Sequence, residues 1–143
     1  QAFDEAKLLL SSAAHLPAVD QAVMASYWFL AVDDLEGAER VIDRQAAAFD
    51  QNTAYLSLKA GVLHKVQRYD ESARAYQILL QKDQSNSAYW LGLGVAWDAM
   101  SRNSDALNAF KRALQGQKNE EVRRYISTRV EALSRIQSTT GNP

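Results

Sequence analysis

Small and large residues recur at intervals of 34 positions, and this recurrence limits the possible folds more than any other feature of the chain. Ala38, Ser72 and Ala106 form one small series, with the larger Ile42, Tyr76 and Phe110 four residues after each. Ser26, Ala60 and Gly94 form a second small series, each followed three residues later by Phe29, Leu63 or Trp97. A turn repeats in the same register, as Leu35-Glu36-Gly37-Ala38, Tyr69-Asp70-Glu71-Ser72 and Asn103-Ser104-Asp105-Ala106. Small against large at fixed helical spacing is what two closely crossing helices need. A unit of this length cannot bury its apolar face alone, so the units must stack. The sequence therefore predicts an array of helix pairs.

The third unit is the most complete. Trp90, Leu93, Gly94, Trp97, Ala106, Phe110 and Ala113 resemble the tetratricopeptide (TPR) framework, with Trp97 in the usual place of a tyrosine. Lys118 stands where a closing proline is common. The resemblance implies an all-α right-handed superhelix with no strand. Composition agrees: helix formers abound, there are only two prolines, and no cysteine is available for a disulfide framework. The 143 residues suit one domain. Its expected parts are an N-terminal helix or partial repeat over 3–18, repeats over 19–52, 53–86 and 87–118, a capping helix over 119–137 and a disordered tail over 138–143. Within the repeats, helix pairs are expected near 19–33 and 36–49, 53–66 and 70–82, and 87–101 and 104–115. In the capping helix, Val122, Ile126, Val130, Leu133 and Ile136 form an apolar stripe, with Arg123, Arg124, Arg129 and Glu131 expected to face water. Such a helix covers the hydrophobic face that a stack otherwise leaves open.

Little in the chain suggests chemistry. His15 and His64 share no motif, and cysteine is absent, so no metal or cofactor site is expected. Gly92-Leu93-Gly94 lies inside a predicted helix, where close packing explains Gly94. The net charge of −1 conceals a gradient. Residues 1–50 carry nine acids against Lys7, Arg40 and Arg44, whereas residues 107–143 carry seven bases against three acids. The basic end is short, mixed with glutamate and lacks regularly spaced aromatics, which disfavours nucleic acid. No run of about 18 apolar residues exists, so no direct membrane contact is expected of this segment. The chain has no initiator methionine or signal peptide, as expected for an excised domain or processed product.

The expected working surface is the concave face lined by the first helix of each repeat. Repeat 1 places Asp20, Val23, Tyr27 and Leu30 there, repeat 2 places Ala54, Ser57, Gly61 and His64, and repeat 3 places Ala88, Leu91, Val95 and Asp98. One use of TPR grooves is to clamp a C-terminal carboxylate with cationic and amide side chains. The corresponding positions here are Val23, Tyr27, Leu58, Ala88 and Gly92, none of which can hold a carboxylate by charge. A mildly apolar groove anchored by Tyr27 suits an extended or helical peptide; self-burial of these positions is the competing reading.

Residues 89–100, 106–110 and 125–133 carry a closer likeness. Tyr89-Trp90-Leu91-Gly92-Leu93-Gly94, Ala106-Leu107-Asn108-Ala109-Phe110 and Tyr125-Ile126-Ser127-Thr128-Arg129-Val130 resemble the C-terminal region of the MSHA (mannose-sensitive haemagglutinin) type IV pilus biogenesis TPR proteins of Gram-negative bacteria. That resemblance implies a periplasmic domain of an inner-membrane-anchored protein that helps to assemble a pilus, with pilus-assembly subunits as partners. The expected function is thus a non-enzymatic protein-binding scaffold, with homo-oligomerisation left open. The alternative is a cytoplasmic adaptor or export chaperone that holds a client peptide.

Overall fold

The computed structural model describes residues 2–45 and 47–141, apart from the side chains of residues 2, 3, 6 and 10. Among them there are eight α-helices and no strand. The chain divides into two compact units, residues 1–68 and 69–143. The expected second repeat is split between them, its first helix closing unit 1 and its second opening unit 2.

Unit 1 contains α1 (Ala2–Ser12), α2 (Ala18–Ala31), α3 (Leu35–Asp43), a 3-10 turn (Ala47–Gln51) and α4 (Thr53–Lys65). Side chains start two of these helices: Asp34 accepts the Gly37 N–H at 2.8 Å, and Asn52 accepts the Tyr55 N–H at 2.9 Å. Such caps satisfy amides that have no partner within the helix. Phe29, Ala38, Ile42, Leu58, Val62 and Leu63 form the core. Gly37 is required by close approach, since a Cβ there would lie 2.3 Å from the Phe29 ring.

The second helix of repeat 1 was expected to run to about residue 49, but α3 stops at Asp43. Tyr55 accounts for the break. It is buried, its hydroxyl donates to the Ile42 carbonyl at 3.2 Å, and its ring meets Phe49 edge-on at 5.6 Å. Phe49 reaches that ring from the 3-10 turn, which also brings Asp50 to within 3.0 Å of Lys59.

Unit 2 contains α5 (Tyr69–Lys82), α6 (Ser87–Ala99), α7 (Asn103–Gly116) and α8 (Glu120–Thr140). Asn86 caps α6, and Asn119 caps α8 by accepting the Val122 N–H at 3.1 Å. Between α5 and α6 lie Ala73, Leu80, Leu93 and Ala96. The α6–α7 crossing has little slack, because a Cβ on Gly94 would sit 2.9 Å from the Phe110 ring. Ala106, Phe110 and Ala113 are fully buried, as their places in the repeat require. Ile126 and Leu133 bring α8 onto the same cluster.

The backbone itself repeats. Asp33, Gln67 and Ser101 all adopt left-handed conformations, with φ of 58°, 65° and 57°. The following residue then reaches back five positions. Asp34, Arg68 and Arg102 donate to the carbonyls of Phe29, Leu63 and Trp97 at 2.8, 2.8 and 2.9 Å. This is a Schellman helix ending, present three times at intervals of 34 residues.

Residues 138–140 continue α8 instead of forming the expected disordered tail. Their hydroxyls satisfy carbonyls of the last turns: Ser138 donates to Arg135, and Thr139 and Thr140 donate to Ile136. Residues 142 and 143 lie outside the described residues.

Candidate functional site

Within unit 1, Asp20, Val23, Tyr27 and Leu30 fall on one side of α2 at helical spacing. Tyr27 is 59 % exposed, while Val23 and Leu30 are half-buried against the core. Met24 adds an exposed thioether one turn before Tyr27. Ser57, Gly61 and His64 form the corresponding line on α4, and all three are half-buried. No atom lies within 4 Å of where a Gly61 Cβ would stand, so the surface is open there. Burial, assisted by Lys65, lowers the His64 pKa and favours the neutral imidazole. Unit 1 thus carries an aromatic ring flanked by aliphatic side chains on α2, and a neutral histidine and a bare glycine backbone on α4. This arrangement suits contact by shape and apolar surface. It contains no nucleophile–base pair, and no group of acids and histidines able to hold a metal occurs among the described residues.

The corresponding stripe in unit 2 is partly engaged by the chain itself. Leu91 and Val95 pack against the cluster that contains Ile126 and Leu133, with Val122 and Val130 alongside. Asp98 accepts two hydrogen bonds from Arg129 of α8, from Nε and Nη2, both at 2.8 Å. Of the groove expected at Leu91, Val95 and Asp98, Asp98 is engaged by the chain's own last helix, and Leu91 and Val95 are half-buried against the cluster that this helix joins. The apolar stripe of α8 needs a counter-surface, and α6 and α7 supply it together.

Arg129 therefore does not face water as expected, and neither does Arg123. The Arg123 guanidinium donates to the carbonyls of Leu114 and Gln117 at 2.9 and 2.8 Å, closing the end of α7. Hydrogen bonding to Asp98 raises the pKa of Arg129. Gly92, placed above among the clamp positions, instead faces Tyr76, since a Cβ there would enter that ring. Leu58, another of these positions, is buried in the core of unit 1.

The Asp98–Arg129 pair was missed in the sequence because nothing local links residues 31 positions apart. Two aromatic–cation contacts also lie outside the sequence reading: Arg102 lies over Trp97 at 5.1 Å, and Arg112 lies over Trp90 at 5.3 Å. No described helix is long and apolar enough to cross a membrane.

Stacked helix pairs with repeating Schellman ends and small–large crossings define a TPR-type helical solenoid. Solved structures of this class agree. The chain is similar to MamA of AMB-1, with a TM-score of 0.70, 23% identity, and coverage of 96% of this chain and 81% of that one. A point mutant of MamA gives a TM-score of 0.71 at 22% identity, covering 96% and 86%. A double mutant of MamA from RS-1 gives 0.69 at 15%, covering 96% and 88%. No protein-family model and no curated protein matches the chain.

Proposed function

We propose that this chain is a non-enzymatic protein-binding scaffold whose working surface is the α2–α4 face of unit 1, centred on Tyr27. The observation that carries this reading is the exposed Tyr27 ring, set between half-buried Val23 and Leu30 on a packed helix. An aromatic side chain on a rigid element gives large contact area at low entropic cost. Its fit is to an extended or helical segment of a partner protein.

The narrower proposal is that the partner belongs to a type IV pilus or related envelope machine. This rests on the resemblance of the segments between residues 89 and 133 alone, because the structural neighbours are MamA proteins. The same resemblance would place the chain in the periplasm, as a domain of an inner-membrane-anchored protein.

A photo-crosslinking residue at position 27 identifies the contacted protein, and the purified partner then allows affinities to be compared. Tyr27→Ala should weaken binding about 30-fold, corresponding to an anchor of about 2 kcal/mol. The control is Arg124→Glu on exposed α8 surface, since Arg123 has a structural role. Binding that survives Tyr27→Ala but is lost in Arg124→Glu would move the site to α8 and end this reading.

A further inference from the structure

Residues 1–50 contain three basic side chains, Lys7, Arg40 and Arg44, among nine acids. All three line a single pocket of about 480 Å³ between α1, α2 and α3, and no carboxylate lines it among the described residues. Its apolar wall includes Ala22, Ala25 and Phe29 of α2 and Val41 of α3. The two glutamines at its edge use their amide N–H groups on the backbone: Gln21 donates to Leu16 and Gln45 to Val41. The Arg40–Glu36 contact is long, 3.7 Å, and solvent-exposed, so it holds Arg40 weakly. Lys7 and Arg44 make no ion pair among the described residues.

At about 100° per residue, Ala18, Ala22, Ala25 and Phe29 fall within roughly a 60° arc of α2, and Tyr27 projects from the opposite side. The pocket is therefore distinct from the surface proposed above and stands independently of it. Among the described side chains of α1, Lys7 lines the pocket and Leu8 and Leu9 stay 71 % and 42 % exposed.

We propose that this pocket binds an acidic amphipathic peptide segment of a partner protein, its aliphatic side chains on the Ala22–Ala25–Phe29 wall and its carboxylates on Lys7, Arg40 and Arg44. The charge distribution favours a peptide over a larger polyanion. An anionic membrane or nucleic acid approaches over many ångströms and meets the acidic excess of this half of the chain. A side-chain carboxylate entering the pocket lies well within the screening length of about 8 Å, where the three cations dominate. Charge-assisted bonds to guanidinium then set orientation, and the apolar wall excludes water.

The test uses the full chain and a fluorescein-labelled 15-residue helical peptide with leucine and alanine on one face and glutamate on its flanks. A second peptide replaces every glutamate with glutamine. The acidic peptide should bind saturably to the unaltered chain. The Arg40→Glu/Arg44→Glu variant and, separately, the glutamine peptide should each lower affinity at least tenfold. Lys7→Glu gives a second route to the same loss should the double variant misfold by circular dichroism. Tyr27→Ala should leave this binding unchanged. Equal affinity for the two peptides, retained binding in the arginine variant, or no binding at all would overturn the proposal. So would a charge-dependent preference for phosphatidylglycerol vesicles over the peptide. Loss in Tyr27→Ala alone would assign the peptide to the other face of α2, refuting the pocket and sparing the scaffold reading.

Discussion

Replacing Leu133 with alanine tests whether α8 is an integral layer of unit 2 or an appended helix. Leu133 and Ile126 are fully buried, and the cluster they join includes Ala106, Phe110 and Ala113 of α7. Leu91 and Val95 of α6 pack on the same cluster. Truncating a buried leucine removes its transfer energy and leaves a cavity that its surroundings fill only in part, at a cost of about 2–5 kcal/mol. For a domain of this size each kcal/mol moves the midpoint by roughly 2–4 °C, so Tm should fall by about 4–20 °C. Ile136 lies one turn further on and is 41 % exposed; Ile136→Ala should change stability by about 0.5 kcal/mol or less. Urea titrations should be followed by far-UV circular dichroism and by tryptophan fluorescence, because Trp90 and Trp97 both pack on the cluster that α8 covers. A loss below about 1 kcal/mol for Leu133→Ala, or equal losses at the two positions, would refute the covered-face geometry. The engaged stripe of unit 2 would then be open surface.

Two further measurements probe the backbone register and the break after α3. Ser101→Gly should raise stability by about 0.5–1 kcal/mol: the left-handed position at φ 57° costs a side chain about 1–2 kcal/mol, and glycine returns part of that as chain entropy. A lower Tm for this variant would contradict the turn. Tyr55 gives a pH signature, since burial first, then Asp50 and Asp43, push its pKa up to about 12. The folded state then holds the phenolic proton more tightly than the unfolded state, so stability should fall as pH rises from about 10 to about 12. The full effect is about 2–3 kcal/mol. Tyr55→Phe should cost about 1 kcal/mol at neutral pH through the lost bond to Ile42, and should flatten that alkaline decline. Part of the decline should persist, because Tyr76 and Tyr125 are also shifted upward. A decline of undiminished slope in Tyr55→Phe would refute the assignment.

Legibility followed the range of the interactions. Gly94 against Phe110, buried Ala38 and Ala106, and the caps at Asn86 and Asn119 depend on spacing within one or two helices, and the sequence carries that spacing directly. The left-handed turns were legible only as a turn register. Asp33, Gln67 and Ser101 share no side-chain chemistry, and it is the backbone bond to Phe29, Leu63 and Trp97 that makes them equivalent. Helix α3 was read too long because its end is decided by Tyr55, which lies beyond it in the next helix.

The candidate surfaces were harder to read than the fold because helical periodicity says which residues share a side and not what covers that side. Tyr27 and Val95 hold equivalent positions two repeats apart: the one on α2 is exposed, and the other on α6 lies half-buried against the cluster that α8 joins. The difference comes from the partner available to each stripe. Leu91 and Val95 pack against a cluster that Ile126 and Leu133 of α8 complete, and Arg129 bonds to Asp98, whereas Tyr27 remains largely in solvent. The pocket follows the same logic. Lys7, Arg40 and Arg44 are scattered in sequence, yet the i, i+4 spacing aligns Arg40 with Arg44 at the C-cap of α3, and the packing of α1 brings the lysine to the same opening. A charge count over residues 1–50 registers only the acidic excess and hides a local reversal of sign, which is where selective capture of an acidic segment becomes physically reasonable.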